Sequence, residues 1–232
     1  EFNMIAVILL PLVVALVISF LSTPIVKSFA YKLGAIDVPK DERRMHKVPI
    51  PRMGGLAIFL GFIISVLLFV EVDDQMKGIL LGSVIIVVMG IIDDITPLRA
   101  SLKFVIQILA ALIPVYYGVQ ITCISNPNLF SDNPYWNFGW LSIPITVIWI
   151  VGLTNAVNLI DGLDGLAIGV SSISALTMLA IAILVAEPQV AVIMAALVGA
   201  CIGFMPYNMN PAKIFMGDTG SLFLGGAIAA LA

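Results

Sequence analysis

The sequence predicts an all-α fold, a polytopic bundle of transmembrane helices, and three observations carry that prediction. Hydrophobic residues fill 61% of the 232 positions and charged residues 11%, against about 25% charged in a soluble domain. The apolar residues gather into successive long stretches, and roughly 20 such residues are needed to cross about 30 Å of hydrocarbon. Charged residues fall almost wholly between these stretches. Together these exclude an ordinary soluble enzyme. They also exclude a nucleic-acid-binding protein, because most of the surface must face lipid.

Seven complete spans are expected, at about 4–26, 54–70, 78–95, 101–119, 141–158, 165–186 and 189–206, with the start of an eighth near Ser221. No basic residue precedes the first stretch and no small-residue cleavage pattern follows it, so it reads as a retained span and not a signal. Only twelve residues follow Gly220, about 18 Å of helix, so residues 1–232 are expected to be a single transmembrane domain lacking its C-terminal spans. Cys123 lies in a loop and Cys201 in a span, which argues against a structural disulfide.

Charge sets the orientation. Lys27, Lys32, Lys40, Arg43, Arg44, Lys47 and Arg52 separate the first two spans, and basic loops stay in the cytoplasm. Counting spans from there places Arg99, Lys103 and Lys213 inside as well, so ten of the eleven Lys and Arg are internal and only Lys77 is outside. The amino terminus is then extracytoplasmic. The outer loop between Asn126 and Trp140 carries the aromatics of an interfacial belt and no catalytic content.

Three separated segments bring acidic residues to that inner face: Ile91-Ile-Asp93-Asp94-Ile95, Asn158-Leu-Ile-Asp161-Gly-Leu-Asp164-Gly165 and Phe215-Met-Gly-Asp218-Thr-Gly220. Ionisable groups at membrane depth are costly and are usually functional. A divalent cation relieves the repulsion among five gathered carboxylates, and oxygen ligands with phosphate substrates favour Mg²⁺. Adjacent helical residues point about 100° apart, so of Asp93 and Asp94 one can ligate metal while the other faces elsewhere. Asp161 and Asp164 would share a face if helical. Gly217 to Ser221 reads as a loop feeding a helix start, with Asp218 or Thr219 as cap and free amides for a diphosphate.

The flanking polar residues complete the candidate site. Asn155 and Asn158 lead into the aspartates and are read as contacts to substrate or to the residues that hold it. In the first inner segment Lys47 and Arg52 are best placed to hold an anionic substrate, while topogenic signalling accounts for most of the remaining basic charge. His46, the sole histidine, cannot form a histidine metal site. Arg99 and Lys103 read as contacts to lipid headgroups or to a lipid phosphate, with ordinary headgroup contact preferred.

The assembled motifs Pro51-Arg-Met-Gly-Gly55, Asp93-Asp94, Asn155-Ala-Val-Asn158-Leu-Ile-Asp161-Gly-Leu-Asp164-Gly165 and Met216-Gly-Asp218-Thr-Gly-Ser221 resemble the polyprenyl-phosphate N-acetylhexosamine-1-phosphate transferases. That group includes enzymes starting teichoic acid and O-antigen synthesis and the phospho-N-acetylmuramoyl-pentapeptide transferase. The resemblance runs from about Ile36 to the end of the chain. It implies transfer of a sugar phosphate, N-acetylglucosamine 1-phosphate by default, from a UDP-amino sugar to undecaprenyl phosphate with Mg²⁺, releasing UMP.

The resemblance also implies residue roles. Asp218 is a Mg²⁺ ligand, Asp94 shares the metal or the site's electrostatics, and Asp93 activates the lipid phosphate. Asp161, Asp164 and Asn158 lie near the nucleotide and the reacting centre. It implies a bacterial or archaeal plasma membrane, a cytoplasmic active site and a C-terminal part whose further cytoplasmic loop helps recognise the sugar, and it admits a homodimer. Two other enzyme classes fit less well: a CDP-alcohol phosphatidyltransferase wants one compact aspartate motif, and a polyprenyl transferase wants two similar ones. An ion-coupled transporter would carry its acids near mid-span.

Overall fold

The computed structural model describes residues 2–38, 48–127 and 133–232. Eight α-helices occur among them, in the order α1 (Phe2–Leu33), α2 (Gly55–Phe69), α3 (Asp74–Ile95), α4 (Ala100–Tyr116), α5 (Ser142–Ile160), α6 (Leu166–Leu184), α7 (Pro188–Asn208) and α8 (Gly217–Leu231). Two antiparallel ribbons sit at opposite ends of the bundle. One pairs β1 (Ile36–Asp37) with β2 (Ile50–Pro51), and the other pairs β3 (Cys123–Ser125) with β4 (Tyr135–Asn137).

Local chemistry sets the helix limits. The Asp73 carboxylate accepts the Met76 amide at 2.7 Å and starts α3, and Pro188 opens α7, where its missing N–H is no loss. The first helix continues past the basic residues Lys27 and Lys32, where the sequence reading ended the span, and stops only at Gly34, whose φ is +74°. Nothing before that glycine requires a left-handed residue.

Among the described residues five helices are long and apolar enough to cross a membrane: α1 from Ala6, α3, α5 with its preceding turn from Gly139, α6 and α7. The shorter apolar helices α2 and α4 are additional candidates, extending about 23 and 26 Å.

The core forms around α7, whose residues Ala191 to Cys201 are buried without interruption. A helix apolar on every side belongs inside a bundle. Its small residues allow that packing: a Cβ on Gly199 or Gly203 would collide with the backbone carbonyls of Leu12 and Leu16 in α1. Such close approach is the usual device for packing helices in lipid. The last helix is nearly as enclosed, inserted among α2, α3 and α5. Phe223 of α8 meets Phe59 of α2 edge-on, with ring centroids 5.2 Å apart. Gly55 and Gly220 touch backbone to backbone, so neither has room for a side chain.

This arrangement brings the C-terminal ends of α3, α5 and α7 and the N-terminal ends of α4, α6 and α8 to the same end of the bundle.

Candidate active site

At the end of α3 the two neighbouring aspartates diverge, as helical geometry requires. Asp93 turns toward α4: its carboxylate accepts the Leu98 amide at 2.7 Å and the Lys103 ammonium at 3.0 Å. Asp94 is 5% exposed and turns toward α8. Its oxygens accept the amides of Asp218 (3.0 Å) and Thr219 (3.1 Å) and the Thr219 hydroxyl (2.6 Å). Asp94 therefore satisfies two of the free amides at the start of α8,, a cap supplied from another helix and not by Asp218 or Thr219. The Asp218 and Thr219 amides, expected to be free for a diphosphate, donate to this carboxylate. Gly217 makes the approach feasible, because its φ is +72° and a Cβ there would lie 2.5 Å from an Asp94 oxygen.

Asp218, in the first turn of α8, is held from three sides. Lys103 Nζ donates to Oδ2 at 2.6 Å, Asn158 Nδ2 donates to Oδ1 at 3.1 Å, and the Arg52 guanidinium stands 3.9 Å from Oδ1. Asn158 also donates to the Ser221 hydroxyl at 2.8 Å. Arg52 lies 3.5 Å from Asp94 as well. Its backbone is fixed by a ladder in which Phe215 N–H donates to Pro51 C=O, and Gly54 and Gly55 donate to Phe215 and Met216.

A cleft of about 980 Å³ opens beside Asp218, lined by Arg52, Asn158, Asp161, Asp164, Asn208 and Phe215 among others. Residues 161–165 form turns between α5 and α6 and not a helical continuation, so Asp161 and Asp164 do not share a helix face. Burial, reinforced by the Asp94 and Asp218 carboxylates and opposed by Arg52, pushes the Asp161 carboxyl up to about 8. Asp164 accepts the Ala212 amide at 3.0 Å. Asn208, 2% exposed, accepts the Gly165 amide and donates to the Ile214 carbonyl. These bonds pin the α7–α8 connection to the α5–α6 turn and form one wall of the cleft.

The structure thus gathers Asp93, Asp94, Asp218, Asn158 and Arg52, with Asp161 and Asp164 along the adjoining cleft. Asn155 points elsewhere, donating to Gln107 at 2.6 Å and to the Val151 carbonyl. Lys47 and His46 lie outside the described residues. Lys103, expected mainly at lipid headgroups, instead bridges Asp93 and Asp218. Its lysine, between Leu102 and Phe104 within an apolar helix, was the available signal, since such a charge is rarely without a partner. Asn208 gave a weaker signal as a polar residue ending an otherwise apolar helix.

Among the described residues no group of three or more His, Cys, Asp or Glu side chains is arranged to hold a metal ion. The groups that do converge suit a hard cation in their chemistry. Asp218 and Asp93 offer oxygen donors alone, and the carboxylates Asp93, Asp94 and Asp218 outnumber the cations Lys103 and Arg52 that neutralise them.

The model for glycosyl transferase family 4 matches residues 76–232, which include α3 from Met76 onward, α4 to α8 and the five aspartates of the candidate site. The chain belongs to this family. It is 44% identical over 225 residues to the Bacillus subtilis (strain 168) protein named "Probable undecaprenyl-phosphate N-acetylglucosaminyl 1-phosphate transferase", covering 95% of this chain and 62% of that protein. It is 37% identical to the decaprenyl-phosphate N-acetylglucosaminephosphotransferase of Mycobacterium tuberculosis, covering 93% of this chain and 57% of that one. It is 38% identical to the phospho-N-acetylmuramoyl-pentapeptide-transferase of Caldicellulosiruptor bescii, covering 95% and 73%. The chain therefore spans between about half and three quarters of the length of these family 4 relatives.

Proposed function

We propose that the protein transfers N-acetylglucosamine 1-phosphate from UDP-N-acetylglucosamine to undecaprenyl phosphate, releasing UMP. The observation that carries this reading is Asp218, held between Lys103 and Asn158 at the head of a large cleft, with Asp93 sharing the same lysine. An anionic lipid and a nucleotide diphosphate need oxygen donors, cations and space at one membrane surface. The site supplies all three, and the family membership and the names of the relatives point the same way.

In the proposed reaction an oxygen of the lipid phosphate bonds to the phosphorus that carries the sugar. The bond from that phosphorus to the bridging oxygen breaks, and UMP leaves with that oxygen. A phosphate monoester is already nucleophilic near neutral pH, so positioning and charge neutralisation do most of the catalytic work. Asp93 takes a residual proton from the lipid phosphate. Arg52, together with Lys47, binds the anionic substrates, and Asn158 orients Asp218. Asp161 and Asp164 border the nucleotide side of the cleft, and Asp94 holds the start of α8 in place. Asp218 is the proposed Mg²⁺ ligand, in company with substrate phosphates; the bound ion would neutralise charge on the diphosphate and the leaving UMP.

This reading places the site on the cytoplasmic face of a plasma membrane, with the amino terminus outside and seven spans plus the start of an eighth forming one catalytic domain. The retention of ten of eleven basic residues on one side supports that orientation,. A pentapeptide-bearing sugar phosphate is the second reading, suggested by the 38% identity to a protein named as a phospho-N-acetylmuramoyl-pentapeptide-transferase. The test is Mg²⁺-dependent UMP release from UDP-N-acetylglucosamine in membranes with and without undecaprenyl phosphate. Release independent of the lipid would refute transfer. Release only from UDP-N-acetylmuramoyl-pentapeptide would select the second reading.

A further inference from the structure

Two rungs join α4 and α5 beneath the candidate active site. On α4, Lys103 and Gln107 are four residues apart and share a face; on α5, Asn155 and Asn158 are three apart and do the same. The upper rung runs through α8: Lys103 holds Asp218 Oδ2 at 2.6 Å and Asn158 holds Oδ1 at 3.1 Å. The lower rung is direct, with Asn155 Nδ2 donating to Gln107 Oε1 at 2.6 Å. Asn155 uses the same nitrogen to donate to Val151 C=O at 2.8 Å, so its side chain is fixed on its own helix while it reaches across. Gln107 is only 3% exposed.

The fully buried apolar contact around this rung is a small cluster of Ala111, Ile150, Val151 and Ala229, with Ile108, Val147, Leu153 and Ala230 packed partly buried against it. Ala111 presents a single methyl and determines axial offset poorly. A directional bond between the buried Gln107 amide and the half-buried Asn155 amide determines it well. The offset matters because one carboxylate must be met on both oxygens by side chains from two helices. The lower rung lies roughly one turn from the upper, about 5–6 Å along the helices, so little slack remains between them.

We propose that Gln107 is a positioning residue for the transfer reaction: through Asn155 it sets α4 against α5 so that Lys103 and Asn158 reach Asp218 together. Gln107 touches none of the proposed substrates. The inference rests on the reading of Asp218 as the centre of the reaction.

The test combines kinetics with a distance measurement in the full protein. Gln107→Met and Asn155→Leu each remove the rung while keeping a side chain of the same branching pattern or length. Each is expected to lower kcat for UMP release about 10- to 100-fold, the scale of a misplacement near 1 Å, with KM for UDP-N-acetylglucosamine changed less than about two-fold. The double variant should be no slower than the slower single variant, because both remove one interaction. Exchanging the pair, Gln107→Asn with Asn155→Gln, should restore much of the rate.

Spin labels at the exposed positions Leu109 and Ile148, with Cys123 and Cys201 replaced, report the α4–α5 distance without reference to activity. The distribution should broaden or shift in Gln107→Met and narrow again in the exchange. Parental kcat in Gln107→Met, additive losses in the double variant, or an unchanged distance distribution would each overturn the proposal. Should Gln107→Met not insert, Asn155→Leu decides by the same kinetic and distance criteria. A parent that releases no UMP would sink the proposed function instead, and the distance measurement would still decide whether Gln107 sets the helix offset.

Discussion

Replacing Lys103 with Met keeps the length of the side chain and removes the charge that joins two helices. In the native arrangement Lys103 Nζ lies 3.0 Å from Asp93 and 2.6 Å from Asp218, and the three side chains are 23%, 8% and 13% exposed. A hydrogen bond to a charged group contributes about 1.5–3 kcal/mol. Losing both and leaving two enclosed carboxylates facing each other costs about 3–5 kcal/mol. If 3–4 kcal/mol of that falls on organisation of the reacting centre, kcat drops roughly 10²- to 10³-fold, at 1.36 kcal/mol per tenfold. A second consequence has the opposite sign. Removing a cation from beside Asp218 strengthens the attraction for Mg²⁺, so the Mg²⁺ concentration at half-maximal rate should fall by roughly three- to tenfold. The assay is UMP release against a Mg²⁺ titration in purified, lipid-reconstituted protein. A variant within threefold of the parental rate, or one needing more Mg²⁺, would refute the assignment of Lys103 as a bridge within the reacting centre.

Other substitutions separate the carboxylates by role. Asp218→Asn should abolish transfer or strongly blunt its Mg²⁺ response while membrane insertion persists; normal turnover with an unchanged Mg²⁺ titration would remove Asp218 as ligand. Asp94→Ala deletes the acceptor for two amides and a hydroxyl at the start of α8, costing about 2 kcal/mol and lowering Tm by roughly 4–8 °C. Thermal unfolding in detergent checks this, and an unchanged Tm would show that the cap is dispensable. Asp161, with its carboxyl raised to about 8 from an ordinary value of 3.8, binds its proton more tightly folded than unfolded. Its contribution to stability is therefore fully present below about pH 4 and lost as pH rises through about 8. Melting temperatures at pH 5, 6.5 and 8 should fall more steeply for the parent than for Asp161→Asn, and parallel curves would contradict the shift.

Much of the architecture follows from one-dimensional pattern. Lipid demands long apolar segments with internally satisfied backbones, so the order of the helices and the segregation of basic residues are legible without coordinates. Span counting alone returns Asp93, Asp94, Asp161, Asp164 and Asp218 to one end. Helix limits were less legible: α1 continues to Leu33 because basic residues do not stop a helix, whereas Gly34 does.

Partner choice within that end was decided only by the tertiary structure. Asp94 is paired with Thr219 across 125 residues and Lys103 with Asp218 across 115, separations at which local spacing carries no information. Neighbouring aspartates on one helix look equivalent in sequence, yet the turn between them sends Asp93 to a lysine and Asp94 to a helix start. Asn155 and Asn158 look equally bound for the aspartates, but only Asn158 reaches one, because Asn155 meets Gln107 first. The sequence by itself determined that carboxylates gather at one membrane face, since burial of charge and the length of a span leave no cheaper arrangement. Which carboxylate faces a cation, which caps a helix and which lines the cleft depended on how closely α8 packs against α2 and α3, through contacts such as Gly55 on Gly220.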